Sequence, residues 1–323
     1  MGIRGILPFL REVCASAIQK VPLSELQKTS SNSSPITIAV DFNQLIFNYI
    51  YAYNKHNIRG ELHHYLAKKF QQLIDKFKNM KIELIFVMDG IPSVDKKPTI
   101  SKRKDKVEKN INRYNEMIPE QKKALQFKRR TTHITYDDCN HMETYFKENH
   151  IPFIHHDGYE ADIICKWLVE YGIADYALSN DTDLLAYGCK HVLTDFDYIE
   201  NTASYINYDA ILEITELSQN KFLDLCISCG SDFNSRFTST RIVYKLLKLN
   251  NPESGQPVYN NLNEIINDIP KIKETSGDTI QEIIEHLCEP TDLDYYKVCG
   301  IFNTRFDKEE INRFLTLGRV YIH

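Results

Sequence analysis

Short apolar runs and helical spacings alternate along the first two thirds of this chain. The β-branched run at 36–40 ends at Asp41, and the run at 82–87 ends at Met88 and Asp89, so both predict buried strands. Between them, after a break at Gly60, Leu62, Leu66, Phe70, Leu73 and Phe77 recur at helical spacing. A helix joining two parallel strands follows, a βαβ unit. A strand at 151–154, a helix carrying Ile163, Ile164, Trp167, Leu168 and Tyr171, and strands at 176–178 and 191–193 continue the pattern. The expected fold is α/β, a mostly parallel central sheet flanked by helices. Residues 101–127 are polar, basic and helix-forming between Pro98 and Pro119, and they predict a helical insertion above the sheet. Beyond Asn220 the strand signals stop, and short helices are predicted at 223–229, 242–249, 280–287 and 311–317, so the last third is expected to be all-helical. The corresponding boundaries are 1–95 and 136–215 for the α/β body, 96–135 for the insertion and 216–323 for the C-terminal helices.

Composition narrows the class. With 323 residues, 42% hydrophobic and 26% charged, the chain can bury a substantial core. No apolar run approaches the roughly 18 residues of a membrane-spanning helix, and the first ten residues lack a signal-peptide pattern. Ile6 stands where a myristoylation signal after Gly2 wants Ser or Thr, so a soluble, unsecreted protein is expected. The eight cysteines form no disulfide framework, and Cys226 and Cys229 lack the second pair of a zinc site. Net charge is −5, yet residues 96–130 hold thirteen Lys or Arg against four acids. A basic block in an acidic chain suggests a polyanion partner, although a solvated helix face has the same composition.

In an open α/β sheet ligands bind outside the carboxyl ends of the strands, where Asp41, Asp89 and the pair Asp181 and Asp183 are predicted to fall. Glu160 and Asp162 open the helix after another strand and belong near the same edge. Like charges a few ångström apart raise one another's pKa, and divalent cations relieve that conflict. Oxygen ligands without His or Cys suit Mg²⁺, with Mn²⁺ as a substitute. Two such ions roughly 4 Å apart activate a water and steady the leaving oxygen of a phosphodiester. Each motif alone is weak: acid-x-acid triplets arise by chance roughly six times at this composition. Asp195 with Asp197 and Asp292 with Asp294 are such pairs, and Glu160 with Asp162 and Asp89-Gly90 also fit a helix first turn and a plain turn.

Order and spacing decide the matter. The opening Met1-Gly2-Ile3-Arg4-Gly5-Ile6-Leu7 is followed by Ala39-Val40-Asp41, Phe86-Val87-Met88-Asp89-Gly90 and Gly158-Tyr159-Glu160-Ala161-Asp162. Ser179-Asn180-Asp181-Thr182-Asp183 with Leu184-Leu185-Ala186-Tyr187-Gly188-Cys189-Lys190, then Asp224 to Phe233, complete the series. Over residues 1–250 this resembles the XPG/flap endonuclease family of 5′ nucleases, and Asp162 with the 184–190 stretch resembles its exonuclease-1-like branch, which includes short viral members. The resemblance implies a PIN-like fold with a basic helical arch at 96–135. It also implies a structure-specific 5′ nuclease of DNA repair, replication or recombination, cutting DNA by exonuclease or flap endonuclease action with two Mg²⁺ ions.

Residue by residue, the resemblance implies that Asp89, Glu160 and Asp162 serve one ion and Asp181 and Asp183 the other. Asp41 and Asp232 act through waters, completing all seven carboxylate positions. Lys96 and Arg103, seven and fourteen residues after Asp89, match the two cations that reach the scissile phosphate, where positioned charge stabilises the transition state. Gly2, Phe47, Lys102 and Arg241 fall at DNA-contacting positions, and Phe47 also fits core packing. One departure concerns the helix-two-turn-helix: where relatives carry Gly-x-Gly-Pro-Lys, this chain has Phe237-Thr238-Ser239-Thr240-Arg241. Without those glycines the K⁺ site and the duplex grip depart from the family pattern. The chain also ends at His323 without a clamp-binding tail, so sliding-clamp recruitment is not implied. Expected partners are DNA with a free 5′ end, a flap, nick or gap, with RNA as an alternative, bound by a monomer. The expected location is the nucleus for a cellular protein and the host nucleus or cytoplasm for a viral one. A ribonuclease of the same fold and a silent branched-DNA scaffold are the alternative functions.

Overall fold

The computed structural model describes residues 2–29, 35–56, 58–90, 96–116, 130–234, 240–248, 295–304 and 319–321. The strands are β1 (Ile18–Pro22), β2 (Ile36–Asp41), β3 (Ile82–Met88), β4 (Phe153–His155), β5 (Tyr176–Leu178), β6 (His191–Asp197), β7 (Thr202–Asn207) and β8 (Arg319–Tyr321). The first helices are α1 (Ile6–Val13), α2 (Phe42–His56), α3 (Leu62–Asn79), α4 (Lys97–Glu116), α5 (Tyr136–Glu148) and α6 (Ala161–Glu170). They are followed by α7 (Asp183–Ala186), α8 (Tyr208–Thr215), α9 (Gln219–Cys229), α10 (Thr240–Lys248) and α11 (Tyr295–Phe302). Compact packing divides the chain into two units, Leu23–Ser179 with Asp307–His323, and Met1–Pro22 with Asn180–Phe306.

The first of these units holds the predicted βαβ core. β5, β2, β3 and β4 pair in that order, all parallel, with Ile36 opposite Ile82 and Val40 opposite both Phe86 and Leu178. Buried residues run almost without interruption through β2 and β3, as expected of parallel strands covered on both faces. The predicted face of α3 is buried at Leu66, Phe70, Leu73 and Phe77. Phe70 lies at the centre of an aromatic cluster, 5.3 Å from Phe42 and from Phe86 and 5.4 Å from Phe146 between ring centroids. Each such ring stabilises the fold by about 2 kcal/mol through burial, so the strand ends stand on a rigid base. α5 starts in a capping box, with Thr135 Oγ1 accepting the Asp138 N–H and Asp138 Oδ2 accepting the Thr135 N–H.

The second unit joins β1 to β7 and β7 to β6, antiparallel throughout. A register shift between Thr194 and Asp197 places Asp195 at φ 51°. α9 is buried along most of its length, from Phe222 to Cys229, and packs against α10, α11 and α7.

One expectation needs correction. The last third is not all-helical, because β8 at Arg319–Tyr321 pairs antiparallel with β4, Val320 opposite Ile154. A three-residue edge strand takes its stability from its neighbour, so it leaves no periodic trace of its own. The helices expected at 280–287 and 311–317 lie outside the described residues, whereas those at 223–229 and 242–249 correspond to α9 and α10. No helix among the described residues is long and apolar enough to cross a membrane.

Candidate active site

In the Leu23–Ser179 unit the acids stand where strands end. Asp41 closes β2 and is 9% exposed; its Oδ1 accepts the Gln44 N–H at 3.2 Å and its Oδ2 the Ser179 hydroxyl at 2.9 Å. The first bond caps the start of α2. Asp89 follows β3 and is exposed, accepting from Asn43 Nδ2 at 2.6 Å and from the Ala161 N–H at 2.8 Å. Ala161 begins α6, Glu160 is its N-cap residue and Asp162 lies in its first turn. Three of the expected acids therefore lie at the positive end of one helix, where acidic side chains are favourable. Lys96 adds a cation: its Nζ forms an ion pair with Glu160 Oε2, the side chains being 12% and 15% exposed.

Gly90 fixes the spacing of this group. Its N–H donates to the Tyr159 carbonyl at 2.9 Å, and a Cβ there would come within 2.0 Å of the His156 oxygen. Only glycine allows the two backbones to approach so closely, which binds the segment after β3 to the segment leading into Glu160. Of the remaining expected contacts in this unit, Lys102 is exposed on α4, Arg103 is half-buried there, and Phe47 is half-buried on α2.

In the Asn180–Phe306 unit the acids sit in turns. Asp183 is wholly buried at the start of the one-turn helix α7, and its N–H donates to Asp181 Oδ1 at 3.1 Å. Asn180 Oδ1 accepts from the Thr194 hydroxyl at 2.8 Å and the Asp195 N–H at 2.7 Å, anchoring the residue before Asp181 to β6. Gly2, at φ 90°, lies so near that a Cβ would stand 2.1 Å from Asp181 Oδ1. Asp232 is half-buried in the turn after α9, where Ser231 Oγ donates to Asn234 Oδ1 at 2.8 Å and Asn234 Nδ2 to the Ile227 carbonyl at 2.8 Å. Arg4 N–H donates to the Gly230 carbonyl at 3.1 Å, joining the N-terminal segment to the same turn. Burial pushes the Cys226 thiol well up, the neighbouring Cys229, Asp183 and Asp224 adding to the shift, so it is an inert core thiol rather than a thiolate ligand.

The remaining acid pairs have other roles. Asp195 forms an ion pair with Arg11 at 2.8 Å, and Asp197 Oδ1 accepts the N–H groups of Ile199 and Glu200 in the β6–β7 turn. Asp292 and Asp294 lie outside the described residues, as do Phe237, Thr238 and Ser239. Arg241, exposed at the start of α10, forms an ion pair with Glu12 beside a groove of about 210 Å³. Sequence reasoning missed Asn43 and Ser179, the side-chain donors to Asp89 and Asp41, because neither forms part of a motif with the acid it serves.

The donor set in both units is hard carboxylate oxygen, the chemistry of Mg²⁺ or Mn²⁺. Among the described residues no three His, Cys, Asp or Glu side chains gather closely enough to enclose an ion by themselves. An ion that keeps several waters and needs only one or two carboxylates is the kind these residues fit, which is the habit of Mg²⁺.

Architecture and acid placement together define an α/β fold of the 5′-nuclease type. The XPG N-terminal domain model matches residues 1–110 and the XPG I-region model residues 150–232, together more than half of the chain, which belongs to the XPG family. Flap endonuclease 1 of Babesia bovis is 26% identical over 77% of this chain and 37% of its own length. That of Theileria annulata is 25% identical over 98% and 60%. The chain thus spans less than two thirds of these two relatives. The protein named Probable RAD2-like endonuclease 369L, of Invertebrate iridescent virus 6, is 26% identical over 77% of this chain and 71% of its own. Among solved structures, the catalytic core of Rad2 with DNA substrate aligns at TM-score 0.65 and 17% identity, covering 98% of this chain and 95% of that one. A GEN1 junction-resolving enzyme with product DNA and Mg²⁺ aligns at TM-score 0.58 and 14% identity, covering 97% and 68%.

Proposed function

We propose that this protein is a structure-specific 5′ nuclease that hydrolyses DNA phosphodiester bonds with divalent metal ions, two Mg²⁺ being the expected complement. The observation that carries the reading is the hydrogen bond from the first N–H of α6 to Asp89, on a helix whose N-cap residue is Glu160 and whose first turn holds Asp162, with Lys96 paired to Glu160. A helix N-terminus, carboxylates and a lysine in one place suit a phosphodiester, whose negative oxygens need cations and whose attacking water needs a base. The ions, when bound, would lower the pKa of a water and neutralise charge on the leaving oxygen.

The chain's own residues have separable tasks in this reading. Asp89, Glu160 and Asp162 hold one ion and Asp181 and Asp183 the other, while Asp41 and Asp232 orient water. Lys96 and Arg103 meet the scissile phosphate, and Lys102, Phe47, Gly2 and Arg241 contact DNA. The basic insertion at 96–135 selects a free 5′ end, flap, nick or gap by shape, since phosphate contacts carry no base information. The protein acts as a monomer in DNA repair, replication or recombination, in the nucleus of a cell or within a virus-infected host.

The test is incubation of the purified chain with 5′-labelled and 3′-labelled flap, nicked, blunt and single-stranded DNA and matching RNA, with Mg²⁺, beside Asp181→Ala. Cleavage near the 5′ end by wild type alone is expected, and the product ladder separates exonuclease from flap cutting. Cleavage of RNA with DNA left intact would replace this reading with a ribonuclease. Metal-independent binding of branched DNA without cleavage would replace it with a scaffold.

A further inference from the structure

We propose that Phe302, in the C-terminal helix α11, is a positioning residue for Asp183 and Asp232. The proposal rests on the reading above that these two acids take part in holding divalent ions. Phe302 is 3% exposed, and its ring lies 4.9 Å from that of Tyr187, tilted at 60°, and 5.5 Å from that of Phe233 at 90°. Tyr187 closes α7, and its N–H donates to the carbonyl of Asp183 at 2.9 Å. Phe233 directly follows Asp232, and its N–H donates to Ser231 Oγ at 3.1 Å. One ring thus packs against two rings, one a single hydrogen bond from Asp183 and the other a single peptide bond from Asp232.

Neither carboxylate has a long element to hold it. α7 has four residues, too few for a helix to be stable alone, and the Asp232 segment is irregular. Both depend on packing from outside, and tilted or edge-on aromatic contacts fix ring orientation as well as distance. Removing the Phe302 ring leaves space beside both turns, and a displaced carboxylate costs metal affinity even when no ligand is deleted. The chain thus spends a distant helix on supporting two short turns.

The experiment uses the full chain as wild type, Phe302→Ala, Phe302→Leu and Val298→Ala, the last removing a buried side chain from the same helix. Mn²⁺ binding is read by electron paramagnetic resonance of the free ion, with thermal unfolding followed in the same samples. Phe302→Ala is expected to bind Mn²⁺ about tenfold more weakly, the low end for loss of a supporting residue. Phe302→Leu should recover most of that affinity, and Val298→Ala should keep it despite a lowered melting temperature. Wild-type affinity in Phe302→Ala, or an equal loss in Val298→Ala, overturns the proposal. If Phe302→Ala does not fold, Phe302→Leu carries the comparison against wild type, with a loss of about threefold expected and wild-type affinity overturning the proposal. Absence of Mn²⁺ binding in wild type removes the carboxylate reading itself, a result distinct from equal binding in wild type and variant.

Discussion

The acids of the Leu23–Ser179 unit and those of the Asn180–Phe306 unit are held by different physics. Asp41 and Asp89 accept hydrogen bonds from helix starts and from side-chain donors, and Glu160 has Lys96, so charge there is met by dipoles and a cation. Asp183 is instead wholly buried beside Asp181 in a turn that Asn180 ties to β6 and that Gly2 approaches closely. In the first arrangement the fold itself supplies partners to Asp41, Asp89 and one oxygen of Glu160. The second depends on fit, and a bound cation has more to gain there.

The largest effect should separate the two directly. Asp183→Asn is expected to reduce cleavage by more than about a thousandfold, as loss of transition-state charge stabilisation does. Without metal it should raise stability by on the order of 1 kcal/mol, since it removes a buried negative charge. Asp89→Asn should match it in lost activity and differ in sign on stability. The new amide would face the Asn43 amide, losing a bond worth about 1 kcal/mol. Denaturant unfolding in EDTA beside a cleavage assay checks both, and a shared sign would erase the contrast.

Next come the two glycines at close approach. At Gly90 an added Cβ would meet backbone at 2.0 and 2.7 Å, and backbone cannot step aside, so Gly90→Ala should cost roughly 3 kcal/mol of stability. At Gly2 the Cβ would meet Asp181 Oδ1 at 2.1 Å and Thr182 Oγ1 at 2.6 Å, which are side-chain atoms, with Thr182 N at 2.7 Å and a strained φ of 90° in addition. Gly2→Ala should therefore show mainly as a higher Mg²⁺ concentration for half-maximal cleavage, with a smaller stability loss. Metal titration and thermal unfolding of both variants rank the two.

How much of this could be read beforehand follows the same division. Asp41 and Asp89 were legible because a β-branched run ending in an acid marks a strand end, and the Leu66, Phe70, Leu73 and Phe77 face marked α3. The pairing of Lys96 with Glu160, 64 residues apart, was not, since helical or strand spacing says nothing of partners brought together by folding. β1, β7 and β8 also escaped notice. β1 carries Gln19 and Lys20 and ends at Pro22, β7 mixes Thr202, Ser204 and Asn207 with Ala203, Tyr205 and Ile206, and β8 has three residues, so none offers an apolar run. Gly90 looked like a turn glycine, and its role, the approach of another backbone, exists only in three dimensions.

Lys96 gives a sharper test of the first arrangement. Its ammonium occupies Glu160, so it and a metal ion compete for one carboxylate. Lys96→Met is expected to lower cleavage at saturating Mg²⁺ by roughly a hundredfold, as loss of one positioned donor does. The Mg²⁺ concentration for half-maximal rate should fall in the same variant. A rise instead would mean that Lys96 helps to build the metal site rather than sharing it.

The smallest effect concerns stability alone and the frame beneath those acids. Glu143 on α5 is 4% exposed, accepts from Lys147 at 2.7 Å and lies 2.8 Å from His155 Nδ1 at the end of β4. The hydrogen bond from His155, and after it that from Lys147, hold its carboxyl down to about 2, against the opposing effect of burial. A carboxylate depressed in the folded state contributes stability that is fully present above its unfolded pKa near 4.5 and lost as pH falls toward about 2. Glu143→Gln should therefore be less stable than wild type at pH 7 by on the order of 2 kcal/mol. The gap should close between pH 4.5 and pH 2, and thermal unfolding across that range reads it. A gap that persists at low pH would show that Glu143 acts through packing, and that α5 is joined to β4 by shape rather than by charge.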